Sequence, residues 1–98
     1  MKPAEPMHYS GVVVLARPGA LDGCAAEIDS IDGVDVRLRD ESRGRLIAVL
    51  ESRDAQGQED LLELIRRAES VMGAALVYHF VDPGAGEAPD GEPDGGSR

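Results

Sequence analysis

Two apolar stretches of the chain decide its fold: Val12-Val13-Val14-Leu15-Ala16 and Leu46-Ile47-Ala48-Val49-Leu50. Nearly continuous aliphatic runs of this length are typical of strands near the centre of a sheet. Each run is followed by apolar residues at helical spacing, then by a glycine, Gly33 or Gly73, that interrupts the pattern, and then by another β-type stretch. A strand-helix-strand unit that occurs twice predicts the order β-α-β-β-α-β.

The predicted elements form an α+β sandwich of the ferredoxin-like kind. Strands are expected near residues 9–16, 34–40, 45–51 and 74–82, and helices near residues 20–31 and 58–70. Because strand-helix-strand crossovers are right-handed, two interleaved units give a four-stranded antiparallel sheet in the order 4-1-3-2, with both helices on one face. The buried stripes of the two helices are expected to be Leu21, Cys24, Ala25, Ile28 and Ile31, and Leu61, Leu62, Ile65, Ala68 and Met72.

The length and composition of the chain allow one small domain. Its 98 residues are 42% hydrophobic but include few aromatic side chains, so the core must be aliphatic. We predict a folded domain over residues 8–82, a flexible leader over residues 1–7 and a disordered acidic tail over residues 83–98. The tail is mainly Gly, Pro, Asp and Glu, and it cannot bury enough apolar surface to offset the entropy of ordering it.

The charge and the single cysteine narrow the classes of function. A formal net charge of −9 argues against nucleic acid or an anionic membrane surface as the partner and favours a basic partner. No apolar stretch approaches the roughly 20 residues of a membrane span, and no export signal opens the chain, so we expect a cytoplasmic protein. Cys24 has no second cysteine to pair with and is expected to be a buried structural thiol.

Alternation along the strands predicts which side chains lie on the sheet face that the helices leave free, here named the open face. The side that ends in Arg17, Glu51 and His79 tolerates polar residues and should be this face. Its inner members are expected to be Val13, Leu15, Ile47, Val49 and Val77. The alternate residues Leu76, Tyr78 and Phe80 are assigned to the helix-covered face. A contiguous apolar patch indicates a binding surface or a dimer interface, unless these are merely apolar residues of central strands.

No set of residues in the sequence predicts catalysis or metal binding. No Ser-His-Asp or Cys-His arrangement has supporting spacing, and the carboxylates are scattered over helix surfaces, where solvation explains them. His8 and His79 should be neighbours on the first and fourth strands, but a metal site would need a further ligand, and Asp82 is the only acid nearby in the pattern. We expect the two histidines to form a hydrogen bond or contact a partner, and we predict no enzyme, cofactor or metal site.

Four segments of the sequence together resemble one known family. They are His8-Tyr9-Ser10-Gly11-Val12-Val13-Val14, Gly33-Val34-Asp35-Val36, Gly44-Arg45-Leu46-Ile47-Ala48-Val49-Leu50-Glu51 and Ala75-Leu76-Val77-Tyr78-His79. In order and spacing they resemble the NapD family, the cytoplasmic maturation chaperones of periplasmic nitrate reductase. The Leu-Val-Tyr-His ending is distinctive. Two features depart from the family pattern, since Gly11 stands where a second Ser is common and Val71-Met72-Gly73 replaces a more usual Gly-Val pair.

The resemblance implies a chaperone and not an enzyme. Members of this family bind the twin-arginine signal peptide of the reductase catalytic subunit and delay its export until the molybdenum cofactor is inserted. An acidic body with an apolar sheet face suits a peptide that has a basic end and an apolar segment. The expected signal-peptide-binding residues are Val13, Leu15, Ile47, Val49, Glu51, Asp54, Val77 and His79.

Charged residues at the sheet edge decide where the basic end of the peptide is expected. Arg37 and Arg39 are predicted on the open face, where they would repel the two arginines, so we place the basic end nearer Glu51 and Asp54. We expect a monomer or weak dimer. The alternative function is an ACT-like regulatory module that binds a ligand and dimerises through its sheet, but the loop after the first strand offers only Gly19 where such modules have a glycine-rich loop.

Overall fold

The computed structural model describes residues 6–83, and its elements follow the predicted order. The strands are β1 (Met7–Ala16), β2 (Val34–Asp40), β3 (Arg45–Ser52) and β4 (Val71–Asp82), and the helices are α1 (Leu21–Asp29) and α2 (Ala55–Arg67). Strand β1 thus begins at Met7, within the segment predicted to be a leader. Residues 1–5 of that leader and the predicted tail from residue 84 onward lie outside the described residues.

The four strands form one antiparallel sheet in the order β2-β3-β1-β4, which is the predicted order. The core is aliphatic and lies between this sheet and the two helices. Alternate residues of β1 and β3 supply the sheet side of the core, namely Val12, Val14, Leu46, Ala48 and Leu50, all fully buried. They cluster with Cys24, Ala25 and Ile28 of α1 and with Leu61 and Ile65 of α2. Within residues 6–83, no helix therefore covers the other face of the sheet.

Helix α2 begins three residues before its predicted start. The Asp54 carboxylate accepts a hydrogen bond from the backbone N–H of Gly57 at 2.7 Å, which caps the N-terminus of the helix. With this cap the helix includes residues 55–57, which the sequence prediction had assigned to a loop. Gln58 becomes a buried residue of the first turns and contacts the sheet.

Helix α2 also ends early, and the last strand starts where the helix was predicted to continue. The helix stops at Arg67, and β4 begins at the buried residue Val71. The sequence prediction assigned Met72 to the buried helical stripe and Gly73 to the helix end. Both assignments are wrong, because the two residues lie in β4 and the Met72 side chain is exposed.

Short polar contacts stabilise the connections between elements. The Glu27 carboxylate on α1 accepts a hydrogen bond from the Ser70 hydroxyl just before β4, and this bond lowers the pKa of Glu27. In the turn between β2 and β3, a hydrogen bond from Ser42, joined by others from arginines, lowers the pKa of Asp40 to about 2.

Cys24 is fully buried, as predicted, and burial raises the pKa of its thiol.

Candidate functional site

The side chains of β1 and β3 alternate between the two sheet faces as predicted. Val13 pairs with Ile47, and Val49 pairs with Gly11, all on the face opposite the core. Their neighbours along the strands are fully buried, whereas Val13, Ile47 and Val49 keep part of their surface exposed. Leu15 at the end of β1 is exposed. The central part of the predicted open face is therefore present.

A β-bulge in β4 reverses the predicted faces of the residues that follow it. Val12 pairs with Leu76, but the preceding residue Gly11 pairs with Tyr78, so Val77 has no partner in β1. Directly paired residues point to the same side of a sheet, so Tyr78 shares the open face with Gly11. The prediction that Tyr78 lies on the helix-covered face is wrong. Val77 is the extra residue of the bulge, and its side chain is exposed.

The same reversal exchanges the next two residues of β4. Phe80 pairs with Tyr9 on the open face, although it was predicted on the covered one. His79 pairs with Ser10, which is fully buried on the helix side, and it borders a cavity beside Ala55 of α2. The predicted placement of His79 on the open face is therefore wrong. The sequence prediction assumed strict alternation and so treated Val77 as a paired residue. Because Val77 is unpaired, each later residue of β4 was assigned to the wrong face of the sheet.

A second bulge corrects the predicted charge of the open face. In β2, Val36 pairs with Ala48 and Leu38 pairs with Ile47, so Arg37 is the extra residue. Leu38 consequently lies on the open face. Arg39 lies on the helix side, where its guanidinium contacts the Asp22 carboxylate of α1 at 2.6 Å. The expectation that Arg39 repels a basic ligand on the open face is wrong.

The aromatic side chains of the chain, two Tyr and one Phe, all lie on the open face. The rings of Tyr9 and Phe80 stack with centroids 6.2 Å apart. The ring of Tyr78 lies directly over Gly11, in the space that a Cβ atom at that position would occupy. The bulges in β2 and β4 thus remove Arg39 and His79 from the predicted open face. They bring Leu38, Tyr78 and Phe80 to it instead.

The sequence reading missed Tyr9, Leu38, Tyr78 and Phe80 as members of this surface. For two of them, Tyr78 and Phe80, the sequence did contain a signal of the bulge that places them there. A glycine inside a strand often marks a bulge or a close approach by another group, and Gly11 interrupts an otherwise β-branched run. No comparable signal marked the bulge at Arg37.

One end of the open face is acidic. Glu51 pairs with Tyr9 there, and a cavity of about 370 Å³ lies between them and β2. Asp35 and Arg37 also border this cavity and form an exposed ion pair at 3.3 Å. Asp54, the other predicted acidic contact, uses its carboxylate to cap α2. The structure therefore brings Glu51, but not Asp54, to the surface formed by the aromatic residues.

His8 and His79 are neighbours, as predicted. His8 Nδ1 lies 3.0 Å from His79 Nε2, and the two rings are stacked with centroids 5.2 Å apart. One imidazole donates and the other accepts in this hydrogen bond. Within residues 6–83, no group of three or more His, Cys, Asp or Glu side chains converges in a way that suits a metal ion.

Comparison with known proteins assigns the chain to a family. The family model of the NapD protein matches residues 7–83. The chain belongs to the NapD family. Chaperone NapD of Escherichia coli (strain K12) is 28% identical over 78 residues, which cover 80% of this chain and 90% of the relative. Chaperone NapD of Haemophilus influenzae is 25% identical over 79 residues, covering 81% of this chain and 85% of the relative.

A solved structure supports the same assignment. The solution structure of the E. coli Tat proofreading chaperone protein NapD superimposes with a TM-score of 0.70 at 27% identity, covering 76% of this chain and 78% of that one. Family and fold together confirm the NapD resemblance and the ferredoxin-like architecture that were predicted from the sequence. The NapD relatives are named chaperones and not enzymes. Neither of the two helices in the described part of the chain has the length and apolar character needed to cross a membrane.

Proposed function

We propose that this chain binds the twin-arginine signal peptide of the catalytic subunit of periplasmic nitrate reductase. Binding in the cytoplasm delays export of the subunit until its molybdenum cofactor is inserted, and the chain itself catalyses no reaction. The proposal is supported by membership of the NapD family and by the Tat proofreading role of the E. coli relative. The open face supports it independently.

The observation that carries the proposal is a sheet face with large apolar side chains and no helical cover. Leu38, Tyr78 and Phe80 are 63%, 52% and 55% exposed. Contiguous apolar surface of this kind on a small protein usually marks a binding site, and aromatic residues are enriched in the centres of interfaces. A flat apolar face suits the apolar segment of a signal peptide, whose side chains would contact the aromatic rings and the aliphatic centre formed by Val13, Ile47 and Val49.

Charge favours a basic ligand and an orientation for it. The chain carries a net charge of −9, so a basic peptide is attracted from a distance. Within residues 6–83, the Glu51 carboxylate on the open face has no hydrogen bond or ion pair, whereas the guanidinium of Arg37 forms an ion pair with Asp35. We place the basic end of the peptide beside Glu51 and Tyr9. Asp54 contributes its charge at the same end of β3, while Val77 and Leu15 extend the apolar contact.

Replacing Phe80 with serine tests this use of the open face. Phe80 is half exposed, so Phe80→Ser should leave the fold intact while it removes an aromatic anchor. We expect the binding free energy to weaken by about 2 kcal/mol, which raises Kd roughly thirtyfold. Titration calorimetry with the native signal peptide measures this change. Leu64→Ser is the matched control, because Leu64 is an exposed apolar residue of α2. This variant should bind the peptide as the parent chain does.

The ionic character of the complex gives a second readout of the same titration. Affinity should weaken as salt rises, and a peptide with Lys-Lys in place of Arg-Arg should bind less tightly because lysine lacks the planar guanidinium fork. Failure of the native peptide to bind at any salt concentration would remove the proposed function. Normal binding by Phe80→Ser would show that the peptide uses another surface.

A further inference from the structure

The cavity at the acidic end of the open face, here named the acidic cavity, has a volume of about 370 Å³. Its lining residues are Tyr9, Gly33, Val34, Asp35, Arg37, Val49 and Glu51. Gly33 lies beside Glu51, since its carbonyl oxygen accepts a hydrogen bond from the Glu51 N–H at 2.8 Å. The φ angle of Gly33 is +95°, a conformation that favours glycine, and glycine adds no side chain beside Glu51. The backbone thus leaves room for a ligand group at this carboxylate.

Two carboxylates border the acidic cavity from neighbouring strands. Asp35 of β2 pairs with Val49 of β3, and Glu51 lies two residues further along β3 on the same face. Diagonal neighbours of this kind have Cα atoms about 7 to 8 Å apart, so a single ligand group placed between them contacts both carboxylates. Both side chains are exposed, so a ligand from solvent contacts them without a change in the fold.

A guanidinium group of the chain itself already lies against one of these carboxylates. The Arg37 Nη1 atom is 3.3 Å from the Asp35 Oδ2 atom, and both side chains are more than half exposed. Arg37 is the extra residue of the bulge in β2, so the ladder with β3 does not fix its position. An exposed ion pair of this kind contributes little to stability. A second guanidinium can therefore replace Arg37 at Asp35 at a low cost in free energy.

The Tyr9 ring makes the acidic cavity more suitable for arginine than for lysine. Tyr9 pairs with Glu51 on one side and with Phe80 on the other, so it joins the cavity to the aromatic part of the open face. A guanidinium is planar, stacks on aromatic rings and forms two parallel hydrogen bonds to a carboxylate. An ammonium group is compact and strongly hydrated, and it lacks this planar fork.

We propose that the acidic cavity is an arginine subsite, in which one arginine of the bound signal peptide displaces Arg37 and contacts Asp35, Glu51 and the Tyr9 ring. This inference rests on the proposed function and specifies which cavity holds the arginine. In the free protein, the guanidinium of Arg37 neutralises Asp35 and takes the place of the peptide arginine. Arg37 therefore competes with the peptide and lowers its affinity.

Replacing Arg37 with glutamine tests the competition. Arg37→Gln should lower the Kd of the native signal peptide about two- to fivefold in titration calorimetry, the range expected for one exposed ion pair. Arg43→Gln is the matched control, because Arg43 forms an ion pair of the same 3.3 Å length with Asp40, beyond the other end of β2. Both variants change the net charge equally, so the larger gain of Arg37→Gln measures the competition. Equal gains, or weaker binding by Arg37→Gln, would overturn the proposal.

Replacing Asp35 with asparagine tests the contact with the peptide arginine. The change keeps the size of the side chain and removes its charge, so Asp35→Asn should raise the Kd about tenfold. Glu41→Gln is the control, because it removes one exposed negative charge in the turn between β2 and β3, and its Kd should change less than twofold. The loss caused by Asp35→Asn should disappear when one particular arginine of the peptide is replaced by glutamine. A loss that persists with both single-arginine variants of the peptide would contradict the subsite.

These titrations separate failure of the subsite from failure of the proposed function. If Phe80→Ser weakens binding while Asp35→Asn and Arg37→Gln behave as their controls do, the proposed function stands and the arginine subsite is wrong. If the native peptide does not bind at all, the proposed function is wrong, and the acidic cavity is probed alone with N-acetyl-arginine amide. Saturable NMR shifts of Tyr9, Asp35 and Glu51 that N-acetyl-lysine amide does not cause would retain a guanidinium site. Absence of such shifts would remove it.

Discussion

At the scale of single residues, Gly11 determines how the open face is arranged. Its lack of a side chain allows the ring of Tyr78 to lie across β1, where a Cβ atom would overlap the ring. In the resemblance drawn from the sequence, Gly11 stands where a second Ser is common in the NapD family. In this chain, the Cβ atom of a serine at this position would overlap the ring of Tyr78 where it now lies.

The prediction at this scale concerns Gly11→Ala. The added methyl group must push the Tyr78 ring aside, and we expect a loss of about 1 to 3 kcal/mol in the free energy of unfolding and altered NMR signals of the ring. Gly23→Ala is the matched control, because nothing lies within 4 Å of its Cβ position on α1. That change should stabilise the chain by about 0.5 to 1 kcal/mol, as alanine is the better helix former. Unchanged ring signals in Gly11→Ala would contradict this account.

At the scale of elements, the bulge at Val77 allows a deletion that a regular strand does not. Removal of Val77 leaves Leu76 paired with Val12 and Tyr78 paired with Gly11, so every side chain of β4 keeps its face. We expect this deletion variant to fold with little change in stability. Deletion of Val49 from the bulge-free central strand β3 should unfold the chain, because it would turn buried residues outward. Circular dichroism and thermal unfolding of the two variants measure the difference, and equal destabilisation would contradict it.

These elements also show how far the sequence determines the site. In β1 and β3, alternation correctly assigned Val13, Ile47 and Val49, because every residue there has a partner in the other strand. In β4 the stretch from Ala74 to Val81 is almost uniformly apolar, so nothing local shows that Val77 is unpaired. A bulge depends on how two strands pack together, and the register that follows from it is a tertiary property. The start of α2 could have been read from Asp54, a favourable N-cap residue.

At the scale of the whole molecule, charge and apolar surface act in opposite ways on two kinds of association. The same open face could contact a second copy of the chain, but each copy carries a net charge of −9. Added salt screens the repulsion between copies and also screens the attraction of a basic peptide. We therefore predict that any weak dimer strengthens with salt while peptide binding weakens. Sedimentation velocity and peptide titration over one salt series test this, and parallel trends would contradict it.

The bulges have a further consequence for the solubility of the protein. Strands β2 and β4 are the two edges of the sheet, and both have irregular ladders, with one bulge in β2 at Arg37 and two in β4, at Met72 and Val77. An uninterrupted edge is a template on which other chains add strands and aggregate, and bulges are among the features that prevent this. A protein whose apolar sheet face is exposed, as the proposed peptide site requires, is especially vulnerable to such growth. Irregular edges hinder the pairing of further strands, so the apolar face can stay exposed without the sheet extending into a fibril.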